Sequence, residues 1–251
     1  MIVLKTAPDL EVMRRAGRIA AEALAAVVQA VRPGVTTREL DRIAEDQIRQ
    51  RGAVPSFLGY RGFPASICTS VDDEVVHGIP GRRRLHAGQI ISLDVGAIVD
   101  GFHGDLATTV PVGKIPEDVA RLLRVTAEAL EIGIRAIRPG ARLGDVGAAI
   151  QRFVEEHGFS VVREFAGHGI GRHLHEEPQI PNFGRAGNGV SLRPGMTLAI
   201  EPMVNMGSGE VTMDPDGWTV RTRDHQPSAH FEHTVAVGED GPIVLTSLDP
   251  E

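Results

Sequence analysis

The sequence predicts an α/β chain of the α+β kind, made of two related halves that each supply two helices and a segment of antiparallel sheet. Three observations predict it. Apolar residues recur at three- and four-residue spacing in four separate stretches, an apolar run folds back on itself at Asp100-Gly101, and two short motifs recur at nearly one offset.

The first helix begins at Thr6, with Asp9 three residues on and Pro8 in its first turn, a capping-box start. Leu10, Met13, Gly17, Ala20, Leu24, Val27 and Val31 form its apolar stripe, and Pro33-Gly34 closes it. Thr36 and Glu39 start a second helix with Leu40, Ile43, Ala44 and Ile48 on one face and Gly52 at its end. A Gly/Pro-rich loop then leads through residues 66–69 to the central hairpin at residues 90–105, "IISLDVGAIVDGFHGD". Pro116 opens a third helix striped by Val119, Leu122, Leu123, Leu130, Ile134 and Ile137, and a fourth runs from about Asp145 to His157. The remainder reads as strands and loops. "VRPG" at 31–34 returns as "IRPG" at 137–140, an offset of 106, and "LHAGQIISLD" at 85–94 returns as "LRPGMTLAIE" at 192–201, an offset of 107. The second match sets Glu201 where Asp94 stands, giving each half a carboxylate at the same point of a strand. One unit spans residues 1–251, with halves of about 5–112 and 113–245.

Composition narrows the function. A chain of 251 residues with 42% hydrophobic residues can bury a full core. A net charge of -7 and no long basic tract argue against DNA or other nucleic acid as main ligand. The single cysteine, Cys68, excludes an internal disulfide and fits a reducing, cytoplasmic setting. No 18-residue apolar run and no signal-like start appear, so no membrane span is expected.

The chemistry sits on carboxylates inside apolar runs. If Asp100-Gly101 is a two-residue turn, Val99 pairs with Phe102 and Asp94 lies opposite Ala107, so Asp105 shares a face with Asp94. Two like charges that close repel unless a cation lies between them. His168 within "AGHGIGRHLHEEP", Glu201 ending "MTLAIE" and Glu232 in "AHFEHTVAV" extend the set to four carboxylates and one imidazole. Oxygen-rich ligation with one imidazole suits Mn, Co, Fe or Zn in a two-metal site better than a structural zinc. The glycines of "GHGIG" do not complete a dinucleotide loop, because Arg172 stands at the third glycine position, and no G-x-S-x-G is present for a serine hydrolase.

The motifs "VVHGIP", "SLDVG", "GFHGD", "GHGIGRHLHEEPQIP", "LAIEPM" and "FEHTVAV", in this order over nearly the whole chain, resemble the type I methionine aminopeptidases of the pita-bread metallopeptidase fold. The resemblance implies two pseudo-symmetric halves, each of two helices packed on a curved antiparallel sheet. It implies two divalent metal ions held by Asp94, Asp105, His168, Glu201 and Glu232, with Asp105 and Glu232 bridging, His168 and Glu201 completing one ion and Asp94 the other. His77 and His175 fall on the catalytic histidines. The implied reaction is removal of the N-terminal methionine from nascent proteins with a small second residue. A bridging hydroxide attacks the first peptide bond, Glu201 shuttles the proton, and His175 steadies the oxyanion. Tyr60, Phe63, Cys68, Leu174 and Trp218 form the implied methionine pocket, joined by His77 and His175. His157 and the other histidines, His230 among them, are read as scaffold or outer support, and Arg82-Arg83-Arg84 as a solvated loop with a weak case for transient ribosome contact. A monomer is implied. An Xaa-Pro aminopeptidase or prolidase shares the fold and the five ligands but carries an extra N-terminal domain, which this chain is expected to lack. A non-catalytic binding protein on the same fold would be expected to have lost ligands, and none is lost here.

Overall fold

Two capped helices lead into the sheet. The computed structural model describes residues 2–248. Helix α1 (Ala7–Ala30) begins with Thr6 accepting from Asp9 N while Asp9 Oδ2 accepts from Thr6 N, at 2.9 Å. Helix α2 (Thr37–Gln50) repeats the device, with Thr36 N donating to Glu39 at 2.7 Å. Helix α3 (Glu117–Arg135) has Pro116 at its N-cap, as expected. Helix α4 (Leu143–Glu156) starts two residues ahead of the expected Asp145. Asp145 is the third helical residue, reaching back to accept from Arg142 N at 2.7 Å. The acidic residue thus marks the first turn rather than the first residue.

Among the described residues the main sheet has nine strands, antiparallel throughout. The central hairpin pairs Ile90–Val99 with Phe102–Pro111, with Val99 opposite Phe102 and Asp94 opposite Ala107, the register expected from the two-residue turn. Ile67–Val71 and the short Val54–Pro55 strand flank Ile90–Val99. On the other side Phe102–Pro111 pairs with Glu232–Val237, which pairs in turn with Thr197–Ile200, then Gly167–Gly169 and Glu176–Ile180. Pro242–Val244 runs beside Glu232–Val237. The step from Phe102–Pro111 to Glu232–Val237 joins the two halves.

Each half buries its own core between helices and sheet. Ala20, Leu24, Leu40 and Ile48 of α1 and α2 pack with Leu93, Val95 and Leu106. Leu122, Ile134, Val146 and Ile150 of α3 and α4 pack with Leu198, Ile200 and Val235. These strand residues alternate with the polar ones, so the helices cover one face and leave the opposite face for the carboxylates. Gly17 and Gly104 let α1 lie directly on the hairpin: a Cβ on Gly104 would come within 2.4 Å of Gly17 N.

The repeat is visible in backbone hydrogen bonds. Gly34 N donates to Leu85 O and Gly140 N to Leu192 O, while Leu85 N donates to Val35 O and Leu192 N to Ala141 O. Residues 34, 35 and 85 thus correspond to 140, 141 and 192 at offsets of 106 and 107. One detail departs from expectation. Asp94 lies inside its strand, but the matching strand ends at Ile200, one residue before Glu201. Pro202 follows and has no N–H for the ladder, so pairing stops there.

Candidate metal centre

Strand register alone gathers the acidic groups. Asp94, Ala107 and Glu232 lie in one row across three strands. Residues directly opposite share a face, and so do residues two apart, which adds Asp105. Thr234, two residues after Glu232, lies opposite Ala199, and Ala199 also lies opposite His168. Glu201 continues the alternation two residues beyond Ala199. Five side chains from both halves thus meet over the seam between them.

The geometry is that of a cation cage. One ligand atom each from Asp105, His168 and Glu232 lies within 4.8 Å of the others, all three buried. His168 Nε2 is 3.5 Å from Glu201 Oε1. His168 Nδ1 lies 2.9 Å from Gly169 O, so its proton is spent on that carbonyl and Nε2 presents a lone pair to the cage. Asp94 Oδ1, Asp105 Oδ1 and Glu232 Oε1 are buried with no hydrogen-bond partner. Among the described residues no lysine or arginine pairs with any of the four carboxylates. Buried carboxylates left this way need a cation. The donor set fits one.

Electrostatics say the same. Burial pushes Asp94 up to about 7. Burial first, then the neighbouring carboxylates, drive Asp105, Glu201 and Glu232 well above the ordinary range. Burial, then His175, holds His168 down at about 3, so its ring is neutral and available as a ligand.

All twelve residues singled out in the sequence line one cavity of about 140 Å³. Its polar lining is Asp94, Asp105, His168, Glu201 and Glu232, and Phe63, Cys68, Leu174 and Trp218 supply an apolar wall from one hydrophobic cluster. The volume suits a single side chain rather than a drug-sized ligand, for which about 300–1,000 Å³ is usual. Phe63 meets Trp218 edge-on at 5.0 Å, and Cys68 lies opposite Asp94 across the strand pair. Burial, then Asp94, pushes the Cys68 thiol up, so it stays protonated. His77 and His175 also line it, the first 6.4 Å from the Trp218 ring and the second 4.1 Å from the His168 ring. Burial holds His77 down at about 4, and burial, then Arg61, lowers His175. Tyr60 stacks on His175 at 5.3 Å, with its hydroxyl 2.9 Å from Nδ1.

Two lining residues were not foreseen, Phe57 and Arg61. Both belong to the loop "FLGYRGF", where Gly59, Arg61 and Gly62 take left-handed conformations. The aromatic and glycine content of that loop was the available signal. His230 also faces the site, with Nε2 3.8 Å from Glu201 and 3.9 Å from Glu232. Of the arginine run, Arg83 pairs with Glu74 at 2.8 Å and Arg84 donates to Gly34 O at 2.6 Å, so both are tied into the scaffold though exposed.

A profile of metallopeptidase family M24 matches residues 11–239. The chain belongs to this family. Within M24 it is 53% identical over 248 residues to methionine aminopeptidase 1 of Bacillus subtilis, covering 99% of this chain and 100% of that one. Methionine aminopeptidase of Escherichia coli K12 is 49% identical over 247 residues, 98% of this chain and 94% of the relative. The crystal structure of methionine aminopeptidase from Rickettsia prowazekii superposes with a TM-score of 0.97 at 45% identity, covering 98% of this chain and 100% of that one. The prolidase of Pyrococcus horikoshii shares the M24 fold at a TM-score of 0.77, with 20% identity and 65% of its own length covered. That likeness speaks to fold alone.

Proposed function

We infer that this M24 chain is a methionine aminopeptidase, removing the N-terminal methionine from polypeptides. The observation that carries the reading is one small cavity lined by both a five-residue cation cage and an aromatic and sulfur wall. The cage suits hydrolysis, and the wall suits a thioether through S–aromatic contact. The full-length likeness to methionine aminopeptidases supports the same assignment.

Two divalent ions, Co, Mn, Fe or Zn, complete the reading. Asp105 and Glu232 would be shared between them, His168 and Glu201 would hold one, and Asp94 the other. When bound, such ions supply a Lewis acid for the scissile carbonyl and lower the pKa of water toward ~7. The chain's own groups do the rest. Glu201 accepts the proton released on attack and returns it to the departing amine. The Tyr60 hydroxyl lies 2.9 Å from His175 Nδ1, and its donation there would leave the ring proton on Nε2 for the developing oxyanion. His77 contacts the peptide near the scissile nitrogen. Tyr60, Phe63, Cys68, Leu174 and Trp218 seat the methionine side chain, and the Asp94 end of the cage takes the free α-amine. Requiring that amine restricts cleavage to the first residue.

Nascent chains with a small second residue, met in the cytoplasm by a monomer in transient contact with the ribosome, are the setting we envisage. Among the described residues no helix is long and apolar enough to cross a membrane. The substrate claim is tested by supplying Met-Ala-Ser and Ala-Pro-Ser peptides side by side to the metal-loaded protein. Free methionine from the first and nothing from the second is expected. Cleavage of the proline peptide alone would move the activity to the prolidase branch.

A further inference from the structure

The cage contains one polar group that the assignment above does not use. His230 is 2% exposed, and its Nε2 has no hydrogen-bond partner. Its backbone is fixed from both sides by Thr109 Oγ1, which accepts from His230 N and donates to His230 O, each at 2.8 Å. Ser92 holds that hydroxyl in turn, at 2.8 Å. Met203 lies directly opposite His230 across the strand pair. The backbone is therefore clamped, and the ring is aimed at the cage, 3.8 Å from Glu201 Oε2 and 3.9 Å from Glu232 Oε2.

Buried polar atoms are rarely left unpaired, and among the described residues this nitrogen lies near two carboxylate oxygens, those of Glu201 and Glu232. The contrast with His168 decides the role. His168 spends its Nδ1 proton on Gly169 O, which bares Nε2 for a cation. No hydrogen bond of the described residues ties a proton to His230 Nδ1 in that way. A bare Nε2 would set its lone pair against both carboxylates, whereas a protonated Nε2 attracts them. At 3.8 and 3.9 Å both contacts are longer than a hydrogen bond, so each carboxylate must turn toward the ring to accept. We propose that His230 is a positioning residue of the metal centre, its Nε2–H donating to Glu201 and Glu232 and fixing how these two carboxylates face the ions. The proposal rests on the metal assignment of those two residues. Outer donors of this kind hold ligating groups in orientation and raise metal affinity.

The test begins with 15N-histidine NMR of the wild-type protein loaded with zinc. His230 Nε2 is expected to carry a proton, seen as a one-bond 1H–15N coupling. An unprotonated Nε2 would overturn the proposal. Calorimetric titration with Mn²⁺ then compares His230→Leu and His230→Gln. The leucine variant is expected to bind about 10–100-fold more weakly, and the glutamine variant, which keeps a side-chain N–H, within about threefold of wild type. A folded leucine variant that binds Mn²⁺ like wild type would also sink the idea. If that variant does not fold, the zinc-loaded NMR measurement still decides. Neither readout needs methionine release, so failure of the substrate assignment would show separately in wild-type turnover.

Discussion

Asp94 and Glu232 face one another across Ala107, and among the described residues neither pairs with a lysine or arginine, so each needs a cation. The four cage carboxylates were legible because a carboxylate beside or inside an apolar strand is conspicuous: the strand pattern gives its face, and burial demands a partner. Arg61 was not legible, since a lone arginine in a glycine-rich loop looks solvated until the loop's left-handed turns bring it to the cavity. His230 is read from sequence as scaffold or outer support, but which way its ring faces is not legible. Its orientation depends on Thr109, far away in sequence, and no local pattern reports that. At this scale His175→Ala separates catalysis from ligation. The variant is expected to keep its metal while turnover of a Met-Ala-Ser peptide falls about 10²-fold, the cost of losing one oxyanion donor. Metal analysis beside the rate measurement checks it, and loss of metal from the purified variant would contradict the assigned role.

At the scale of elements, the hairpin was the most legible part, because a two-residue Asp-Gly turn sets every pair from Val99–Phe102 to Ile90–Pro111. The helix starts at Thr6 and Thr36 were equally plain, each carrying its acidic partner three residues on. The α4 start was misplaced because Arg142 is not a usual capping residue and only Asp145 gave the signal. What sequence could not show is how closely elements approach. Gly17 reads as an ordinary stripe residue and Gly104 as one more residue of the hairpin's second strand, yet the two backbones meet where α1 crosses the hairpin beside Asp105. Gly104→Ala would force that crossing apart, and overpacking of this kind costs about 1–3 kcal/mol. Urea denaturation is expected to show a loss at least in this range, with weaker metal binding because Asp105 moves with the strand. An unchanged midpoint would mean that the crossing yields easily.

For the whole molecule, the cage couples metal, pH and stability. Without metal, Asp94 is raised to about 7 and its three partners well above the ordinary carboxylate range, so the folded state holds more protons than the unfolded chain above about pH 4. Stability from these groups is present below that point and drains away as pH rises through 7. His77, His168 and His230, held at about 4, 3 and 3 by burial, act in the opposite sense and cost stability as pH falls below about 6.5. Above that pH only the carboxylates count. Thermal melts with and without Mn²⁺ are therefore expected to show a metal-induced rise in Tm that grows from pH 6 to pH 8, since cations bind the deprotonated cage. A shift independent of pH would mean the ion binds elsewhere. The most direct test is methionine release from Met-Ala-Ser by metal-stripped protein as Mn²⁺ is titrated back, for wild type and Asp105→Ala. Release that appears with metal in the wild type and is absent at every concentration in the variant is the predicted result. Release without metal, or equal release by the variant, would contradict the account.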